Sequence, residues 1–231
     1  SALALRPDGQ LAFNGLTIQS PLLSLRANGI RRRDGSFHFE GSGDHDRYGP
    51  LQLVLDGRIE RPTIDLILQR PLDALGLRDV KAHLVPDSEG YSYTAQGGSI
   101  LGPFDGRGVI LLPQGGQAVV RVAQLSVSGV NASGDISPLP GGLEGQLSVT
   151  GPVTGYVGFK PVNAIQQVQV KLTASGASFA GPTVIEVRRG SLDATVLLDP
   201  DGTNVTATAQ ARGLRLGGIL VGRMALTANL V

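Results

Sequence analysis

Cysteine and tryptophan are both missing from this chain, and aromatic residues make up only 4% of its 231 residues. Without cysteine there are no disulfides and no thiolate metal sites. Sugar-binding β-modules stack their ligands on exposed aromatics. Only Tyr91 and Tyr93, which share one strand face, are placed for that role, and cross-strand packing accounts for them as well. No apolar run approaches the roughly 20 residues of a spanning helix. A net charge of +1 and a pI near 8.1 give the whole chain no strong field to gather nucleic acid or an anionic surface. The one basic triplet, Arg31 to Arg33, is followed at once by Asp34 and reads as a solvated loop.

Catalytic constellations are absent too. There is no Gly-X-Ser-X-Gly elbow, phosphate loop or His-Glu-X-X-His helix. Of three histidines, His38 and His83 fall on the polar side of their strands. The chain therefore reads as a non-enzyme that carries no cofactor. Asp44 and Asp46, with Glu40 upstream, are the residues a calcium ion would use. Their spacing fits no EF-hand or repeat-toxin loop, and a polar loop tip accounts for them more simply.

What the chain does hold is alternation. In the stretch 191–211, Leu192, Ala194, Val196 and Leu198 alternate with Ser191, Asp193, Thr195 and one outlier, Leu197. After Pro200 and Gly202, Val205, Ala207, Ala209 and Ala211 alternate with Asn204, Thr206, Thr208 and Gln210. Side chains on a strand point alternately to opposite faces, so this is a hairpin with one apolar and one polar face. The pattern recurs along the chain, as at Leu51, Leu53 and Leu55, then Ile64, Leu66 and Leu68, then Val168, Val170 and Leu172. Turn signals every 8–12 residues or so predict an antiparallel meander of roughly 16 to 20 strands. Asn14-Gly15 and Asp56-Gly57 read as turns, 41–50 as a polar loop, and 151–161 as a short, irregular region. A slip of one residue in the alternation places a β-bulge near Ala123-Gln124. Pro71 and Gly76 frame one or two helical turns over 71–76. The chain starts inside a strand-like segment, so residues 1–231 are expected to be one continuous segment of a longer chain, whose weakest point for a sub-boundary is 151–161.

Such one-sided strands could close on each other as a dry sandwich core. Alternatively the sheet could curl into an open channel whose apolar face holds apolar ligand. Near-even repeats and the prevalence of short aliphatic side chains over aromatics favour the channel.

The phrase GPLQLVLDGRIERPTIDLIL (49–68) resembles the recurring strand–Gly–strand–Pro pattern of the AsmA-like superfamily. PLDALGLRDVKAHLVPDSEGYSYTAQGGSILGPFDGRGVILLPQGG (71–116) and QARGLRLGGILVGRMALTANL (210–230) resemble TamB-type translocation and assembly proteins more closely. The resemblance implies an all-β fold: an elongated, curled antiparallel sheet, the β-taco or repeating β-groove, with an apolar lumen. It also implies a periplasmic location, in a parent anchored in the inner membrane and reaching a TamA-like barrel in the outer membrane. The function implied is conduction of phospholipids between the two membranes, with a role in outer-membrane biogenesis. Assembly or secretion of outer-membrane proteins, a closed extracytoplasmic binding domain, and a spacer that carries nothing are the other readings. The segment is expected to be monomeric, with phospholipid acyl chains as partner. The residues expected to line the groove are Leu51, Leu53, Leu55, Ile64, Leu66, Leu68, Val168, Val170, Leu172, Leu192, Val196, Leu214, Leu216, Leu226 and Leu230.

Overall fold

The structure, a computed structural model, describes residues 2–5 (backbone only), 9–46, 48–71, 76–139, 142–163, 165–199 and 202–230. The protein is all-β, 81% strand, with antiparallel pairing that does not close into a barrel. It divides into two compact units, 1–99 and 100–231. The first holds β1 (Ala2–Leu5), β2 (Leu11–Gln19), β3 (Leu23–Arg31), β4 (Phe37–His45), β5 (Gly49–Arg58), β6 (Arg61–Leu68), β7 (Arg78–Pro86) and β8 (Gly90–Ser99). The second holds β9 (Gly102–Leu111), β10 (Val119–Val127), β11 (Val130–Leu139), β12 (Gly142–Thr150), β13 (Val153–Val162), β14 (Ile165–Ala180), β15 (Val184–Asp199), β16 (Gly202–Leu216) and β17 (Ile219–Leu230). Within each unit every strand pairs antiparallel with the next in sequence. The helical turns expected over 71–76 fall on 72–75, outside the described residues. The units part at 99/100, whereas 151–161 supplies an ordinary strand, β13, paired on both sides.

Glycine explains where turn signals and turns differ. Asn14-Gly15 is a bulge inside β2, where the register on β3 shifts between Phe13 and Leu16. Gly15 takes φ +63, and its N–H donates to Asn28 Oδ1 at 2.9 Å. Asp56-Gly57 lies within β5, and the chain reverses two residues later at Ile59-Glu60. The supposed loop 41–50 is mostly strand, because Gly41 and Gly43 belong to β4. A Cβ on Gly43 would collide with the Ser24 carbonyl oxygen, so the absent side chain lets β3 and β4 come together. Gly155 plays this part in β13: its φ of +140 and the Lys171 carbonyl leave no room for a Cβ.

The bulge expected near Ala123 is present. β10 shifts register between Val122 and Gln124 against β9, and between Val122 and Leu125 against β11. A larger change of parity crosses β14 to β17. Before it the apolar positions are Leu172 and Ala174, Leu192 and Gly190, Ala209 and Ala211, Leu226 and Met224. Beyond it they are Ala177, Val187, Leu214 and Val221. Each strand spends one extra residue at the same place, so partners keep their register while the apolar face is preserved. Gly176 and Gly213, at φ +65 and +62, supply the left-handed residues on β14 and β16.

The second unit curls. In a flat sheet β9 and β14 would lie five strand spacings apart, about 24 Å. Instead the end of β14 reaches the start of β9: the Ser128 hydroxyl donates to the Leu101 carbonyl at 3.0 Å and accepts from the Ala180 N–H at 3.2 Å. Inside the curl, Val149, Val153 and Ala177 are buried against Val130, Leu172 and Phe179, among others. Gly155→Ala is expected to lower stability by about 1–3 kcal/mol through backbone strain, whereas Gly218→Ala, where a Cβ meets nothing, stays within about 0.5 kcal/mol. Urea unfolding followed by circular dichroism measures both.

Candidate functional site

The alternation of the strands and their turns together decide what lies beside what. In the first unit, Leu51 pairs with Leu68, Leu53 with Leu66 and Leu55 with Ile64. Gly43, Gly41 and Phe39 extend these three rungs on one side, and Val80, Ala82 and Leu84 on the other. All six groove residues expected in this unit therefore share one face. Leu51 is buried and the other five are half-buried.

In the second unit three rows run across the sheet. One passes through Leu125, Ala132, Val149, Gly155, Leu172, Leu192, Ala209 and Leu226. The next joins Val122, Gly134, Leu147, Val157, Val170, Ala194, Ala207 and Ala228. The third joins Val120, Ile136, Gly145, Phe159, Val168, Val196, Val205 and Leu230. Leu214 and Leu216 sit beyond the parity change, beside Val187 and Ile185. Register thus gathers the expected residues on one face. It adds Val122, Ile136, Leu147, Val157 and Phe159, the last two from the stretch 151–161 that reads as irregular in the sequence.

These rows are incompletely covered. Among the described residues only eleven apolar ones are buried, five of them alanine, and no large side chain is fully enclosed. Leu226 and Leu230 are 50% and 61% exposed. The chain exposes 14170 Å², whereas one compact monomer of this mass would expose about 9,900 Å² and two separate units of these sizes about 12,000 Å². The excess is what a one-layer sheet with an open face leaves in water. Contact of this face with itself is concentrated at Val149, Val153 and Ala177.

The opposite face carries charge in pairs. Lys171 faces Asp193 at 3.4 Å, Arg121 faces Asp135 at 3.1 Å, and His83 Nδ1 lies 2.6 Å from Asp65. His38 is bonded at both ring nitrogens, Nε2 to Glu40 at 2.9 Å and Nδ1 to Asp56 at 3.0 Å, and Arg32 also donates to Asp56. Two carboxylate acceptors ask both nitrogens to donate, which only the imidazolium can do. The bond to Glu40, opposed in part by desolvation and aided by Asp56, raises the His38 pKa. The Arg32 and His38 bonds hold Asp56 below the usual carboxylate range. The cluster ties β4 to β5, through His38 and Asp56. Beside it lies an open hollow of about 520 Å³ at the β5–β6 turn, bordered by Asp56, Arg58, Glu60 and Arg61.

Asp44 is an exposed strand residue and Asp46 an exposed turn residue. Among the described residues no three His, Asp or Glu side chains are grouped to hold a metal ion, so the calcium candidate has no built site. The loop that would have wrapped an ion is taken up by β4. Tyr91 and Tyr93 are half-buried on the apolar side, opposite Pro86 and Leu84, and burial raises the Tyr93 pKa.

The His38 cluster gives a pH dependence of fixed sign. A raised histidine stabilises the fold fully below its ordinary value of 6.5 and loses that contribution as pH climbs through the folded value. A lowered Asp56 stabilises above 3.8 and loses its contribution as pH falls through the folded value. The cluster is therefore strongest between those limits. NMR titration is expected to place His38 above free histidine, and Glu40→Gln is expected to bring it back down.

Comparison with protein-family models, curated proteins and solved structures finds no match to this chain.

Proposed function

We propose that the apolar face holds phospholipid acyl chains, and that the chain is a TamB-like segment passing lipid between the inner and outer membranes across the periplasm. The observation that carries this reading is the set of aliphatic rows, continuous across β10 to β17 and left partly open to water. In water each methylene of an acyl chain costs about 0.8 kcal/mol relative to an apolar surrounding, so an unaccompanied chain would cost well over 10 kcal/mol. A lining of Leu, Val, Ile and Ala removes that cost through many equivalent contacts. No polar group fixes a position, so a chain can shift along the rows. Ala207 and Ala209 are only half-buried, and their short side chains leave volume over the sheet where larger ones would fill it, whereas Ala194 is buried.

Headgroups would stay at the rim of the curl. Where Ala177 packs on Val149 and Val153, the face is already filled by the protein's own side chains. A chain crossing that point has to displace the end of β14. The TamA-like barrel partner and the role in outer-membrane biogenesis belong to the same proposal.

Leu66→Asp and Val170→Asp test it. An open face hydrates the new charge, so melting is expected to fall only slightly while binding of a fluorescent fatty acid drops about tenfold or more. In a closed core an unpaired buried charge costs several kcal/mol. Unfolding of both variants would contradict the open groove.

A further inference from the structure

Strand register sets three arginines in one line. Arg189 on β15 faces Arg212 on β16, and Arg212 faces Arg223 on β17. On the other side Arg189 faces Ser175 of β14. Neighbouring strands lie about 4.8 Å apart, well inside the roughly 8 Å over which physiological salt screens charge. Like charges directly opposite each other on a sheet repel, and here two such pairs are contiguous. Elsewhere on the polar face this chain does the reverse and pairs Lys171 with Asp193 and Arg121 with Asp135.

Among the described residues no carboxylate forms an ion pair with this line. Arg188, Arg189, Arg212 and Arg223 are all exposed. Glu186, the carboxylate one rung away, is bonded to Arg215 at 3.4 Å. Asp193, further along β15, is occupied by Lys171. The ladder lies at the parity change, where the left-handed Gly213 makes room for a neighbour. A Cβ on Gly213 would stand 2.9 Å from the Arg188 Cβ, so the Arg188 stem passes over the glycine. Ser175 contributes a hydroxyl at the end of the row.

We infer that this arginine ladder is a binding site for phosphoryl groups. Guanidinium presents its N–H donors in a planar fork that matches two oxygens of a phosphate, and adjacent forks can share one tetrahedral group. A bound phosphate replaces arginine–arginine repulsion with attraction on both sides, which is why a dianion or phosphodiester fits where a neutral ligand does not. The ladder lies on the face opposite Ala211 and Leu226, so the inference does not depend on acyl chains occupying the apolar rows.

The intact protein is tested with two probes, inorganic phosphate followed by calorimetry and phosphatidylglycerol vesicles followed by co-sedimentation, with phosphatidylcholine vesicles for comparison. Arg189→Gln/Arg212→Gln/Arg223→Gln is compared with Arg58→Gln/Arg78→Gln/Arg107→Gln, which removes the same charge elsewhere. Saturable, salt-sensitive binding is expected to weaken about tenfold or more in the ladder variant only. A response to inorganic phosphate assigns the site to free phosphate groups. A response to phosphatidylglycerol vesicles alone assigns it to lipid headgroups. The ladder variant is expected to melt no lower than the parent, since repulsion is relieved, and Arg212→Gln alone provides a milder second variant. Failure of both probes to bind, or equal loss in the two triple variants, overturns the inference.

Discussion

A strand sends alternate side chains to opposite faces, and a tight hairpin decides which residue of one strand meets which residue of the next. Everything in this protein depends on those two constraints acting together for many strands in succession. Alternation alone gives each strand an apolar side. Register turns those sides into rows, such as Leu172, Leu192, Ala209 and Leu226 in one line. A slip of one residue in any hairpin would send half a row to the wrong face. The polar face obeys the same rule, which is why Lys171 finds Asp193 and His83 finds Asp65.

Keeping one face apolar while the sheet bends needs positions where ordinary residues fail. Ala123 supplies an extra residue to β10, and Gly15 does so in β2. Across β14 to β17 each of four strands takes up an extra residue at the same level, with Gly176 and Gly213 in the left-handed region. Phe179 thereby stays on the side of Leu172, and Leu214 on the side of Ala211, although each has the opposite sequence parity to that residue of its own strand. Gly155 serves a different need, close approach of backbones, and with Ser128 at the seam the second unit curls until β14 meets β9. In the second unit the consequence is a curled aliphatic surface, dry around Val149 and open along its outer rows.

Much of this was legible in the sequence. The hairpin over 191–211 and the bulge at Ala123 follow from alternation and its single slip, because both are local. The glycine signals were ambiguous for a physical reason. Asn14-Gly15 and Gly41-Ser42-Gly43 have the composition of turns, yet what they serve is set by β3 lying beside them, and no local pattern contains that neighbour. The same holds for 151–161, where Gly155 is needed only because Lys171 is close. The arginine ladder was readable in principle: reflecting Arg189 about Pro200-Asp201 in the sequence gives Arg212, and reflecting Arg212 about Gly217-Gly218 gives Arg223. It escapes notice when each strand is scanned alone, since only register brings the three together. The division at 99/100 left no mark in composition.

The central claim is that the aliphatic rows form an occupied surface instead of an incomplete core. Native mass spectrometry of the protein purified from a membrane-containing lysate measures this most directly. The account expects phospholipid to stay bound in a folded complex and to be lost from Val170→Asp. Folded protein that carries no lipid, and that takes up none when phospholipid is supplied, would contradict it.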